Sequence, residues 1–221
     1  MLQNIDTIIF DMDGVIIDSE PFWREAAILS FKEFGLELTV EQCTATTGLR
    51  TKEVVKYWLP DKSLKIKNQA EKRILSNVVS LISENGVPVH GLSDVMNFLR
   101  KNKFKIGLAT SSPSKVIDAV LNVCLPDFQF DVIQSAEKLR YGKPHPQVYL
   151  NTLRKLKSKS INSIAIEDSI NGIIAAKAAR LKVVSIPAAD EFESPKFSIA
   201  DFKIKKLSEI VSLLNQGIAD K

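Results

Sequence analysis

The chain has 221 residues, of which 45% are hydrophobic and 25% charged, which is ample for a buried core and excludes a disordered chain. Its 30 Lys and Arg against 26 Asp and Glu leave a net charge of +4. That mild excess suits a small anionic ligand and gives little support to nucleic-acid binding.

In chain order, the first apolar run is Thr7-Ile8-Ile9-Phe10, short and β-branched, which predicts a buried strand. A long helical interval follows. Over residues 20–34, Phe22, Trp23, Ala26, Ala27, Ser30, Phe31 and Phe34 fall on one face, and a second long helix is predicted over 64–84. Glu84-Asn85-Gly86-Val87-Pro88 reads as a turn or hinge. Beyond it, helical spacing over 93–102 leads into a strand at 105–110, a helix at 113–123 and a strand at 131–135. A strand at 163–167, a helix at 170–180 and a strand at 182–187 complete the pattern. Buried strands alternating with helices imply a Rossmann-like, doubly wound parallel sheet. The helical interval after the first strand reads as an inserted cap domain over 17–86, with 1–16 and 87–221 forming the α/β core.

Polar clusters recur at or just after the predicted strand ends, where open α/β sheets place their sites. Asp11 and Asp13 follow the first strand in Phe10-Asp11-Met12-Asp13-Gly14-Val15. Two such carboxylates need a counter-charge, and a magnesium ion, which takes hard oxygen ligands, would supply it. One could attack phosphorus and the other carry a proton; a plain Asp-x-Asp-Gly turn is the structural alternative. Thr110 and Ser111 precede a helix start near Pro113, whose free N–H groups suit an oxyanion, although Ser112 also fits a helix cap. Lys143, in Tyr141-Gly142-Lys143-Pro144-His145-Pro146, could neutralise phosphate charge. Glu167 and Asp168 form a second acidic pair at a strand end, suited to a metal or to capping the following helix.

Acid pair, hydroxyl, lysine, acid pair, in that order, resembles the haloacid dehalogenase-type hydrolases along nearly the whole chain. The resemblance implies Asp11 as nucleophile, forming an aspartyl-phosphate, and Asp13 as general acid/base with its backbone carbonyl on Mg²⁺. It implies Thr110, Ser111 and Lys143 around the phosphoryl group, Asp168 on the metal, and Glu167 as a ligand or its support. A dehalogenase of this fold lacks the second aspartate, so Asp13 argues for phosphoryl transfer.

A helical cap directly after the first motif resembles the β-phosphoglucomutase-like subgroup. Within it, the stretches 10–23 (FDMDGVIIDSEPFW), 48–50 (GLR), 135–150 (SAEKLRYGKPHPQVYL) and 167–180 (EDSINGIIAAKAAR) look most like the hexitol phosphatase or 2-deoxyglucose-6-phosphate phosphatase type. The mutases carry a histidine about where Trp23 stands, and the indole has no basic nitrogen for that place. The expectation is therefore a Mg²⁺-dependent phosphatase of a small phosphorylated sugar or sugar alcohol, with a hexose-phosphate mutase as the alternative. Glu20, Trp23, Gly48 and Arg50 are expected to serve substrate choice from the cap side. Lys62, Lys65, Lys67, Lys72 and Arg73 read as a solvated helix face. Arg154, Lys155, Lys157 and Lys159 lack the aromatic interleaving of a nucleic-acid surface. His145 reads as structural. His90, Cys43 and Cys124 carry no role, and the cysteines read as reduced thiols. The N-terminus lacks a signal-peptide pattern and no stretch reaches a membrane span, so a soluble, cytoplasmic monomer is expected.

Overall fold

The computed structural model describes residues 4–46 and 48–219. Six strands form one parallel sheet: β1 (Thr7–Phe10), β2 (Lys105–Thr110), β3 (Val132–Ser135), β4 (Ser163–Glu167), β5 (Lys182–Ser185) and β6 (Phe202–Lys203), in the order β3-β2-β1-β4-β5-β6. Nine α-helices accompany them among the described residues. Helices α1 (Glu20–Glu33), α2 (Val40–Thr44), α3 (Thr51–Trp58), α4 (Leu64–Asn85) and α5 (Leu92–Lys101) lie between β1 and β2. Helices α6 (Ser114–Cys124), α7 (Gln147–Leu156), α8 (Ile170–Ala178) and α9 (Glu209–Ala219) complete the set.

Alternation along β1 explains the layering. Ile8 and Phe10 point to one face, where they join Ile106, Leu108, Ile164 and Ile166 under the apolar residues of α5, α6 and α9. Ile9 points to the other face, with Ala109, Ala165, Val183 and the buried sides of α7 and α8. Both faces are covered, which is why the strands read as unbroken apolar runs. Gly107 lets α7 come close, since a Cβ there would stand 2.9 Å from Thr152 Cγ2.

The strands at 7–10, 105–110 and 163–167 fall where the sequence puts them, and those expected at 131–135 and 182–187 are shorter at one end. Strand β6 escapes the sequence pattern: two residues carry no periodicity, and pairing to β5 alone defines them. In the inserted region, Ala26, Ala27, Ser30 and Phe31 of α1 and Ala70, Ile74, Val78 and Ile82 of α4 are buried together. The short α2 is held by a capping box, with Gln42 N–H donating to Thr39 Oγ1 and Thr39 N–H to Gln42 Oε1.

The chain leaves and re-enters the sheet through one knot. Ile17 bridges both Asp13 and Pro88, and Val89 N–H donates to Ile16 O at 2.9 Å. No described helix is long and apolar enough to cross a membrane.

Candidate active site

The strand order reverses between β1 and β4, and the carboxyl ends of those strands open into a cleft, where open α/β sheets bind ligands. Asp11 follows β1, and its N–H donates to Ile166 O of β4 at 2.9 Å, so the ladder itself fixes it. Asp168 follows β4. Gly14, at φ +73°, brings the two loops together: a Cβ there would stand 2.0 Å from Asp168 Oδ2.

Lys143 reaches into this cleft from the loop before α7, buried at 6% exposure, with Nζ 2.9 Å from Asp11 Oδ1 and 2.6 Å from Glu167 Oε1. Glu167 is wholly enclosed. Its Oε1 also accepts from Tyr149 O–H, and its Oε2 accepts from Ser169 Oγ at 3.2 Å. Asp11 Oδ1 has the ammonium beside it but no aligned hydrogen bond.

Three carboxylates, Asp11, Glu167 and Asp168, bring ligand oxygens within 4.8 Å of one another. Burial, reinforced by Glu167 and only partly countered by Lys143, raises Asp11 from 3.8 to about 8. Asp168 is raised as well, by desolvation and then by Asp11 and Glu167. Burial alone would lower Lys143, yet Asp11 and Glu167 outweigh it and keep it charged. One ammonium against three carboxylates leaves negative charge in excess. An all-oxygen donor set with that excess fits a hard divalent cation.

Asp13 is held separately. Ser19 Oγ and Trp23 Nε1 donate to Oδ1, the indole at 3.0 Å, and Ser112 Oγ donates to Oδ2 at 2.6 Å. Trp23 is thus an inward-facing partner of Asp13, contributed by the first turn of α1.

The cavity is lined from the sheet side by Asp11, Asp13, Ser111, Lys143 and Asp168, and from the inserted helices by Glu20, Trp23, Gly48 and others. Two expected residues stand back from it. Thr110 is fully buried and its Oγ1 accepts from Ser112 N–H at 3.0 Å, which leaves its own O–H still able to donate. Arg50 does not line the cavity. Its guanidinium holds Glu53 and donates to Leu139 O at 2.9 Å, lying over Gly142. The expectation of a role in substrate choice at Arg50 comes from the family resemblance at 48–50, which carries no mark of which way the side chain turns. Tyr149, Ser19 and Thr51 carry no mark in the sequence, and Ser112, which fits a helix cap there, gives its hydroxyl to Asp13 while Pro113 holds the N-cap of α6. Tyr149 reads as one more apolar position of α7, and only the fold puts its hydroxyl on Glu167. His145 accepts from Gln147 N–H and stacks beside Tyr141, a structural place. Cys43 and Cys124 are free and buried.

The chain is similar to known proteins in sequence and in fold. A family model described as haloacid dehalogenase-like hydrolase matches residues 8–186. Hexitol phosphatase B of Escherichia coli (strain K12) is 35% identical over 213 residues, covering 95% of this chain and 96% of the relative. The fold is shared with CbbY of Rhodobacter sphaeroides, solved in complex with phosphate, at TM-score 0.85, 24% identity and 93% and 96% coverage. It is shared too with β-phosphoglucomutase of Clostridium difficile, at TM-score 0.84, 24% identity and 98% coverage of each chain. An acid pair after the first strand, a buried lysine and a second acid pair at the sheet's switch point, under helices inserted after β1, go together with a sequence match over most of the length: the chain belongs to the haloacid dehalogenase-like hydrolases.

Proposed function

We propose that the chain is a phosphatase that hydrolyses the phosphomonoester of a small sugar or sugar alcohol through an aspartyl-phosphate on Asp11. The observation that carries the reading is the Asp11 carboxylate beside a buried, charged Lys143, with Asp13 anchored apart from it on its own three donors. Two carboxylates in two environments can divide the labour of nucleophile and proton carrier. The name of the 35% identical relative, a hexitol phosphatase, supports the substrate class. Residues 17–86 form the cap and the rest the catalytic core, joined at the Ile17–Pro88 knot.

Asp11 attacks phosphorus while the ester oxygen leaves with a proton from Asp13. Asp13, now ionised, takes a proton from water as that water attacks the aspartyl-phosphate, and phosphate departs with both aspartates restored. Lys143 sets a fixed positive charge beside the phosphoryl oxygens, and the hydroxyls of Thr110 and Ser111 can donate to them. Asp11, Asp168 and the Asp13 carbonyl would hold a magnesium ion, with Glu167 beside them; the ion supplies charge neutralisation when bound. A mutase must return the phosphoryl group to a sugar. Trp23 meets Asp13 with a nitrogen that donates only, which favours water as the acceptor.

A phosphate-release screen over sugar and polyol phosphates, with and without magnesium and with Asp11→Asn as control, tests this. The expected result is magnesium-dependent release by the wild type and none by the variant. Unchanged turnover by Asp11→Asn would remove the nucleophile, and isomer formation without free phosphate would establish the mutase.

A further inference from the structure

The cavity wall contributed by the inserted helices contains two buried threonines, Thr46 and Thr51. Thr46 donates to Cys43 O at 3.1 Å. Thr51 is 5% exposed, and its Oγ1 has no hydrogen-bond partner among the described residues. It is the first residue of α3, one position past the N-cap Arg50, whose N–H donates to Glu53 Oε2 at 3.1 Å, so the Thr51 hydroxyl does not stand at the cap position. On the sheet side of the same cavity Ser111 Oγ is also buried and unpartnered. A buried hydroxyl without a partner is costly, and a ligand that supplies one removes the cost.

The charges of this wall are already balanced. Arg50, next to Thr51, is turned away onto Glu53 and Leu139. Arg24, which does line the cavity, lies 3.6 Å from Glu20 in the same wall. The wall contributed by the inserted helices therefore offers hydroxyl and apolar surface, with its lining arginine, Arg24, already beside Glu20.

We propose that Thr51 hydrogen-bonds a hydroxyl of the substrate's uncharged end and so selects monophosphates of polyhydroxylated carbon chains over bisphosphates. This rests on the phosphatase reading above. A phosphate against this wall would lose its water without gaining a cation, whereas a hydroxyl gains the Thr51 partner.

The test compares kcat/KM of the magnesium-loaded enzyme for a hexitol monophosphate, a hexose bisphosphate and phenyl phosphate, in the wild type, Thr51→Val and Thr51→Ser. Valine keeps the shape and deletes the hydroxyl. The expected result is a fall of about fivefold in the ratio of hexitol phosphate to phenyl phosphate in Thr51→Val, mainly through KM, with the ratio restored in Thr51→Ser. The unliganded Thr51→Val protein should melt no lower than the wild type, since the lost hydroxyl had no partner. An unchanged ratio in Thr51→Val, or a bisphosphate hydrolysed as well as the monophosphate by the wild type, overturns the proposal. If the wild type hydrolyses none of the three, the phosphatase reading falls by itself. Calorimetric binding of the same hexitol phosphate then decides Thr51: weaker binding to Thr51→Val supports its role, and equal binding removes it.

Discussion

Trp23 and Tyr149 are both aromatic residues whose polar tips, rather than their rings, meet carboxylates of the site. The Trp23 indole fixes one oxygen of Asp13. Trp23→Phe keeps most of the ring and deletes the donor, so kcat should fall by about tenfold with KM less affected, read by steady-state kinetics on a variant whose circular dichroism is unchanged. An unaltered kcat would reduce the contact to packing. Tyr149 acts one step further back, through Glu167 onto Lys143. Burial and the neighbouring Glu167 hold its hydroxyl well above the ordinary tyrosine range, so it remains a donor. Tyr149→Phe leaves a buried carboxylate short of one hydrogen bond. A loss of about 1–3 kcal/mol should appear in urea unfolding. Neither role is visible in sequence, because an aromatic at a helical position looks the same whether its edge meets a carboxylate or a leucine.

Two elements join the inserted helices to the sheet. The knot of Ile17 with Asp13 and Pro88 places the crossing within a few residues of the nucleophile. The hinge is legible in sequence from Gly86 and Pro88, since such residues interrupt a helix for local steric reasons. The second element is Arg50 at the start of α3, whose guanidinium reaches Leu139 O in the loop that carries Lys143. Gly142 allows the approach, since a Cβ there would stand 2.9 Å from Arg50 Nε. Arg50→Ala should loosen this clasp. KM for phosphorylated substrates should rise several-fold, about 1 kcal/mol of lost contact, and limited proteolysis between residues 136 and 146 should accelerate. Equal proteolysis rates would show that the clasp does not hold that loop.

At the scale of the whole molecule, the carboxylate cluster makes stability depend on pH and on metal together. Without metal, the folded protein keeps a proton on Asp11 up to about pH 8, whereas the unfolded chain releases it near the ordinary 3.8. Between those values the folded state binds more protons, so stability falls as pH rises through the window. In EDTA the melting temperature should therefore drop from about pH 5.5 to about pH 8. Magnesium replaces the protons, so its stabilising effect should grow over the same range. Differential scanning fluorimetry with and without magnesium checks both trends, and a metal-free melting temperature that rises with pH would contradict the charge balance of the cluster.

The sequence by itself determined the sheet strands β1, β2 and β4, the long helices α1 and α4, and the order of acid pair, hydroxyl, lysine and acid pair. These are local properties: apolar periodicity selects the element, and a polar residue following a buried strand has to emerge at its end. Tertiary structure alone decided that Asp11 and Lys143, 132 positions apart, stand at 2.9 Å. It also decided that Glu167 faces Lys143 and Tyr149, that Arg50 turns to the core loop, and that Thr51 lies buried in the cavity wall. The physical reason is the same in each case. Side-chain direction and long-range pairing follow from how the sheet orders its strands and how the inserted helices settle over it, and no local pattern of residues encodes either.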